Sequence, residues 1–347
     1  MPIAERAGTV VVGGGAAGLA AAWHLRERGR PFAVLDAART VGDAWRQRYD
    51  CLRLFTPARF CALPGLPMPL PPGAHPTRDE MADYLTAYAK HFAFPVRSGV
   101  TVRSHAYGNG LHHLRTDDGP LVARRVIVAT GALHRPAVPG FAAALDPALA
   151  QRHSSDYHRP GDLPPGPVLV VGAGTAGADI ALDLARGREV WLSGRRTGHV
   201  PVGLVRSAVV RRLLYDRRVP PGRWIRALAV RRGGPLIWQS EAALRRAGVR
   251  RVPRVAGVRD GLPLLADGRV LPVAAVVWCT GFRPDYGWLD PRAAGADGWP
   301  EHHRGVSATV AGLGFVGLPW QNTFGSGFLG GMPGDAAHVV RRLMPPA

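Results

Sequence analysis

Two short apolar runs, each ending in a glycine-rich loop, constrain what this chain can fold into more than any other feature. Thr9 to Gly13 reads TVVVG and opens GGGAAG over residues 13–18; Val168 to Gly172 reads VLVVG and opens GAGTAG over residues 172–177. Apolar runs this short and β-branched are buried parallel strands, and G-x-G-x-x-G between a strand and a helix is a dinucleotide-binding turn. The first glycine of each loop (Gly13, Gly172) permits the tight turn. The second (Gly15, Gly174) lets a pyrophosphate approach the backbone, and the third (Gly18, Gly177) lets the helix pack on the strand. Ala16 and Thr175 open helices whose first N–H groups face the phosphates.

Two further runs, Val126 to Gly131 (VIVATG) and Val276 to Gly281 (VVWCTG), close the two modules with matching Thr-Gly turns. The backbone at Thr130-Gly131 and Thr280-Gly281 is therefore expected close to a cofactor. Helices are expected from Ala16 to about Arg28 and from Thr175 to about Ala185, with second strands at Phe32–Leu35 and Glu189–Leu192. The fold class that follows is α/β with two Rossmann-like dinucleotide-binding domains, one architecture used twice. Residues 131–167, rich in proline and small residues, read as an irregular linker. The tail after Gly281, ending in a helix from about Gly334 to Leu343, is expected to return to the first domain. Residues 1–150 and 278–347 then form one domain and 160–277 an insertion.

The two loops differ where it matters. About twenty residues after the first stands Asp36, placed to accept hydrogen bonds from ribose hydroxyls. The corresponding stretch after the second reads Ser193-Gly194-Arg195-Arg196, with no carboxylate to repel a 2′-phosphate and two guanidinium groups to grip one; the alternative is that these arginines form a solvated face. The first site is thus expected to take an unphosphorylated adenosine and the second NADPH. The pairing is physically economical if the first dinucleotide is FAD, with both reactive rings meeting at the domain interface.

Composition narrows the remaining classes. At 347 residues, 46% hydrophobic and 20% charged, the chain has material for two cores. The net charge of +19 is carried almost wholly by arginine, Lys90 being the only lysine. No nucleic-acid motif accompanies it, so a coding bias explains it better than RNA or DNA binding. Cys51, Cys61 and Cys279 form no C-x-x-C pair and no metal-ligand spacing, so neither a dithiol centre nor a metal is expected. With no secretory leader and no long apolar span, a cytoplasmic protein is expected. His112-His113 and His302-His303 lack accompanying ligands and read as surface pairs. Val205 to Arg232 mixes arginine with Leu, Val, Ile and Trp224; it reads as an insertion on the second domain or as a peripheral membrane contact.

The residues also carry a likeness. Gly42-Asp43-Ala44-Trp45-Arg46, Tyr49-Asp50, Leu52, Leu54, Thr56-Pro57 and Arg59-Phe60-Cys61-Ala62-Leu63-Pro64 resemble the flavin-containing monooxygenase superfamily, nearest its Yucca-type and bacterial members. His153-Ser154-Ser155-Asp156-Tyr157 resembles the H-x-x-x-Y/F half of that superfamily's identifying motif, and Cys279 to Asp285 its second Thr-Gly signature. Gly317-Leu318-Pro319-Trp320-Gln321, Ser326 and Asp335-Ala336-Ala337 are similar to its tail. Pro147 and Leu149 stand where the motif's Phe and Gly would fall, and Pro57 where animal-type members have a flavin-site asparagine. The likeness covers essentially the whole chain.

That resemblance implies FAD and NADPH as cofactors, and a small organic substrate oxygenated with dioxygen through a flavin C4a-(hydro)peroxide. Trp45 is expected either near the flavin or filling the domain interface, and Thr56, Gln321 and Ser326 are candidate catalytic residues, with ordinary turn roles as the alternative for each. Two rivals stay open on the sequence alone. One is an NADPH-dependent flavin oxidoreductase that inserts no oxygen; the other is a non-catalytic flavin and nucleotide redox sensor.

Overall fold

The computed structural model describes residues 5–200, 236–237 and 239–345. The arginine-rich Val205–Arg232 stretch lies outside the described residues. The first module runs β1 (Glu5–Val12), α1 (Ala16–Arg26), β2 (Phe32–Asp36), the single turn α2 (Asp43–Arg46), α3 (Arg78–His91), β3 (Val96–Ser98), β4 (Val102–Gly108), β5 (Leu111–Thr116) and β6 (Gly119–Val128). After β7 (Arg135–Pro136) come β8 (Ala150–His153), β9 (Val168–Val171), α4 (Thr175–Leu184), β10 (Val190–Ser193), α5 (Glu241–Arg246), β11 (Arg250–Val252), the ribbon β12 (Val255–Arg259) and β13 (Leu262–Leu265), and β14 (Ala275–Trp278). The chain closes with β15 (Phe282–Arg283), β16 (His302–His303), β17 (Val306–Ser307), β18 (Leu313–Phe315) and α6 (Met332–Leu343).

Two sheets result. In the first, β3-β2-β1-β6-β18 run parallel, with β17 and β16 added antiparallel beyond β18 and the β4–β5 hairpin branching from β6. In the second, β11-β10-β9-β14-β8 are all parallel. The four apolar runs thus lie side by side in pairs, β1 against β6 and β9 against β14. Their uniform apolarity has a plain cause: each is covered on both faces. Val11, Val34 and Ile127 face α1, α3 and α6, while Val10, Val12, Val126 and Val128, with Phe315 beside them on β18, pack against Tyr286 and Leu289. In the second sheet Val168 and Val170 face α4, whereas Leu169 and Val171, with Trp278 beside them on β14, pack against Leu265.

The two crossings between the sheets are tied together. Immediately after their Thr-Gly turns, β7 and β15 pair antiparallel, Pro136 opposite Phe282 and Arg135 opposite Arg283. Tyr286 Oη donates to Gly131 O at 2.5 Å, and Asp285 N–H to His134 Nδ1 at 3.0 Å.

Two sequence expectations are corrected. The 131–167 segment is not an irregular linker throughout, because Ala150–His153 is an edge strand of the second sheet, in register with Ala275–Trp278. Its sequence, AQRH, has no β-branched residue, and the apolar neighbour β14 supplies the pairing. His112 is not at the surface. Alternation along β5 turns it inward with Leu114, fully buried, and leaves His113 exposed.

Candidate functional site

Each glycine loop is shaped by contacts that no side chain could survive. At Gly13, φ is +108°, and a Cβ would lie 2.6 Å from Ala129 O at the end of β6. At Gly18 it would lie 1.8 Å from Gly13 O, so α1 touches the loop backbone directly. The second loop repeats this: Gly172 has φ +109° with a Cβ 2.1 Å from Cys279 O, and Gly177 would place one 1.8 Å from Gly172 O. At the middle glycines, Gly15 and Gly174, a Cβ would meet nothing within 4 Å. That open ground lies beside the helix starts.

The helices are left ready for an anion. Both α1 and α4 begin after a glycine N-cap that offers no side-chain acceptor, and neither carries an acidic residue in its first turn. Their first N–H groups are therefore not engaged by a cap. By contrast α3 has a full capping box, Thr77 Oγ1 accepting from Glu80 N–H while Glu80 accepts from Thr77 N–H. The chain caps a helix where no ligand is needed and leaves two uncapped at the loops.

Strand register settles which residue answers Asp36. Gly13 N–H donates to Leu35 O at 2.7 Å, and Gly172 N–H to Ser193 O at 2.8 Å. Leu35 thus corresponds to Ser193, and Asp36 to Gly194. The neighbouring positions exchange their side chains. In the first module Gly14 makes room for the carboxylate of Asp36, whose Oδ2 would lie 2.5 Å from a Cβ there. In the second, Ala173 carries the methyl and Gly194, at φ +143°, makes room, since its Cβ would fall 2.7 Å from Ala173 N. Sequence reading singled out Asp36 without noticing that Gly14 is its counterpart.

A cavity of about 470 Å³ runs from Gly13–Gly15 past Asp36 and Trp45 to Thr101, Arg103 and Trp288. The volume falls in the range of small-molecule sites. Burial holds the Asp36 carboxyl above its usual range, against the stabilising N–H groups of Ala38 and Gly14. Ala38 N–H donates to its Oδ1 at 3.2 Å. The Thr280 hydroxyl is buried without a hydrogen-bond partner among the described residues, and Thr130, whose hydroxyl lies beside that of Tyr286, lines the cavity. A buried orphan hydroxyl costs about 1–3 kcal/mol, and a cofactor group at the second Thr-Gly turn would relieve it. Donor set, open ground and orphaned hydroxyl together fit a dinucleotide.

On the second module Arg195 and Arg196 are exposed, directly after Gly194. Ser193 turns inward, its Oγ donating to Pro253 O at 2.9 Å and accepting from Val255 N–H at 3.2 Å. Arg251 was missed by sequence reading. It lies on β11, and its Nη2 donates to Gly194 O at 2.9 Å.

The remaining candidates are held by their surroundings. Ser326, fully buried, accepts through Oγ from the N–H groups of Asn322 and Thr323 at 2.9 and 3.0 Å, which commits the hydroxyl to the turn before α6. Gln321 is buried with Oε1 toward Leu318 N–H at 3.4 Å, and its Nε2 packs against Gly305. Thr56 is buried, and its carbonyl accepts from Cys61 Sγ at 3.2 Å. His153 takes an N–H from Ser155 on Nδ1 and so presents Nε2–H to Gly281 O at 3.0 Å, which pins the second Thr-Gly turn. The likeness at His153–Tyr157 therefore sits where the chain crosses between the sheets, with Tyr157 buried in the second core.

The three cysteines are free, and burial is the main cause pushing each thiol up: Cys51 to about 12, Cys61 to about 12 and Cys279 higher still. A thiol so raised is not a thiolate at neutral pH. Between the modules, Tyr49 Oη donates to Asp179 Oδ2 on α4 at 3.1 Å, and burial pushes the Asp179 carboxyl up to about 7. Among the described residues no helix is long and apolar enough to cross a membrane.

Comparison with known proteins places these features among relatives. Residues 10–207 match the family model described as pyridine nucleotide-disulphide oxidoreductase. An uncharacterized CzcO-like oxidoreductase of Geobacillus kaustophilus is 35% identical over 340 residues, covering 96% of this chain and 97% of its own. A probable indole-3-pyruvate monooxygenase of Arabidopsis thaliana is 29% identical over 368 residues, covering 92% and 84%. The solved flavin-containing monooxygenase from Stenotrophomonas maltophilia superposes with a TM-score of 0.79 at 27% identity, over 98% of each chain.

Proposed function

The chain belongs to the pyridine nucleotide-disulphide oxidoreductase family, among its flavin monooxygenase members, and from that premise we propose that it is an NADPH-dependent FAD monooxygenase acting on a small organic substrate. The substrate is oxygenated at nitrogen, sulfur or a carbonyl carbon, with dioxygen as co-substrate. The observation that carries the assignment of the two cofactors is the contrast at register-equivalent positions, Asp36 at the end of β2 against Gly194-Arg195-Arg196 after β10.

Residues 1–150 and 278–347 take FAD, and 160–277 take NADPH, with Ala150–His153 belonging to the second sheet. Gly13, Gly15, Gly18 and the N–H groups from Ala16 onward receive the FAD pyrophosphate, and Asp36 accepts from the ribose hydroxyls. Trp45, Thr130 and Gly131 border the same cavity or its turn. Gly172, Gly174, Thr175 and Gly177 receive the NADPH pyrophosphate, and Arg195 and Arg196 grip the 2′-phosphate. Thr280 and Gly281 form the turn that faces it. FAD, when bound, supplies hydride acceptance and dioxygen activation. The chain's own part is to orient the two cofactors and keep water from the reacting atoms.

Thr56 remains a catalytic candidate, its side chain beside the Cys61 thiol, whereas Gln321 and Ser326 shape the loop before α6. Three free cysteines with raised thiols speak against dithiol reduction. The test is turnover of candidate substrates with NADPH under isotopically labelled dioxygen. One labelled atom in the product is the expected result; NADPH oxidation yielding only hydrogen peroxide or a reduced acceptor would sustain the reductase reading instead. No turnover with NADPH would sustain the sensor.

Replacing Arg195 and Arg196 together with alanine is expected to raise the KM for NADPH by about 10- to 100-fold, the two exposed guanidinium–phosphate contacts together contributing about 1.4–2.8 kcal/mol. The KM for NADH should change little. Equal effects on the two coenzymes would defeat the 2′-phosphate assignment.

A further inference from the structure

We propose that Arg251 is a positioning residue that sets the preference for a 2′-phosphorylated dinucleotide by fixing the turn that carries Arg195 and Arg196. The inference rests on the reading of the second module as the NADPH site. Arg251 stands opposite Leu192 in the parallel β10–β11 pair, one residue before the level of Ser193. Its side chain is only 13% exposed, and its Nη2 donates to Gly194 O at 2.9 Å. The other flank of the same turn is stapled by Ser193 Oγ to Pro253 O and Val255 N–H. The Ser193-Gly194 turn is therefore held at Gly194 by Arg251 of β11 and at Ser193 by the residues that follow that strand.

The grip matters because Gly194 is the one position in the turn with no steric means of holding itself. It sits at φ +143° and can carry no Cβ, which would meet Ala173 N at 2.7 Å. A glycine there leaves the following peptide plane free to rotate unless its carbonyl is held. The guanidinium of Arg251 holds it. The direction in which Arg195 and Arg196 leave the sheet follows from that plane, and bidentate recognition of phosphate tolerates little error in direction.

The charge around Arg251 agrees with a site built for an anion. Its only carboxylate partner among the described residues is Glu241, with Oε2 3.7 Å from Nε, longer than a good charge-assisted hydrogen bond. Nη1 is buried without a hydrogen-bond partner among the described residues. Burial lowers the guanidinium's proton affinity, Glu241 offsets this and Arg196 adds to it, so the positive groups are close enough to feel one another. A cluster of guanidinium groups is costly to assemble without an anion and favourable with one.

The experiment compares steady-state turnover of the FAD-loaded protein with NADPH and with NADH for wild type, Arg251→Met, Arg251→Lys and the Arg195→Ala, Arg196→Ala double variant. FAD content and melting temperature are measured alongside. Arg251→Met is expected to raise the KM for NADPH by about tenfold or more while kcat and the KM for NADH stay within about twofold. Arg251→Lys, which keeps the charge but loses the planar fork, should fall between and serves if the methionine variant does not fold. A merely structural role would lower turnover with both coenzymes alike, and that result overturns the proposal. If wild type shows no preference for NADPH, the underlying site assignment fails. If the double variant loses the preference and both Arg251 variants keep it, the assignment stands and the role of Arg251 falls.

Discussion

Gly15→Ala is expected to fold and melt like the wild-type protein while losing FAD affinity by on the order of 100-fold, and Gly18→Ala to lose both the flavin and the fold around it. The two glycines lie three residues apart in one loop, and they differ in what surrounds them. A Cβ at Gly15 would meet nothing within 4 Å, and its φ of −75° is ordinary for alanine. Exchanging the N-cap glycine for alanine costs the unliganded fold only about 1 kcal/mol or less. The methyl would nevertheless stand where the pyrophosphate must approach the backbone and the first N–H groups of α1.

At Gly18 the Cβ would fall 1.8 Å from Gly13 O, a backbone atom with no rotamer to escape into. The helix has to move off the strand, and α1 lies in the middle of a core shared with α3 and α6. The cost is on the order of 3 kcal/mol or more. The ratio of flavin to protein absorbance, with a melting curve on the same sample, separates the two outcomes. A Gly15→Ala protein that keeps stoichiometric FAD would show that the open ground beside Gly15 is not the pyrophosphate site. The matching change in the second loop, Gly174→Ala, should spare FAD content and remove NADPH oxidation.

How much of this was legible before the coordinates depends on how far each signal reaches along the chain. The glycine loops, the four apolar runs and Asp36 are local: each is written in fewer than about 25 consecutive residues and obeys a rule of turn sterics or burial. They placed the fold class and both glycine loops. The exchange of Gly14 with Asp36 for Ala173 with Gly194 was also written there, but it becomes visible only when strand register shows which residues share a position.

What stayed hidden is long-range. Ala150–His153 pairs through backbone groups that no side-chain pattern announces, and Arg251 meets Gly194 only because β11 lies beside β10. The likeness drew attention to His153 and Ser326, and the structure gives those side chains the work of holding the second Thr-Gly turn and the turn before α6. Sequence similarity marks where a residue type recurs, and only the hydrogen-bond partner tells what it does.

The buried histidine pair carries the second large expectation: stability lost steeply as pH falls from about 6.5 toward 4. His105 and His112 face each other across the β4–β5 hairpin, Nε2 of one 2.9 Å from Nδ1 of the other. His105 Nδ1 accepts from Asp290 N–H at 3.3 Å, which fixes its proton on Nε2 and makes it the donor in the pair. Burial is the main cause that pushes both down to about 4, and for His112 the charge of His105 adds to it. The other groups bearing on them are Asp290, which favours protonation, and Arg292 and His113, which oppose it.

The sign follows from linkage. A histidine whose folded value lies below its unfolded value of about 6.5 is bound by fewer protons in the fold, so its full contribution is present above about 6.5 and is lost as pH falls toward 4. For one such histidine the loss is about 3 kcal/mol, with a smaller increment for the second because the two compete for charge. Asp290 is held well below the usual carboxylate range by Arg292, so its own contribution persists through this window and disappears only at lower pH. The consequence reaches the cofactor, because His105 N–H donates to Trp288 O at 2.7 Å and Trp288 lines the far end of the cavity. Flavin release should therefore accompany the loss of stability. Denaturant midpoints at pH 7.5, 6.0 and 4.5 read the effect directly, with flavin fluorescence followed on the same samples. His112→Gln, which keeps an amide acceptor but cannot titrate, should remove only the smaller increment of the second histidine, and replacing His105 as well should flatten the dependence; a wild-type profile that is already flat from pH 7.5 to 4.5 would show that the pair accepts its proton without strain.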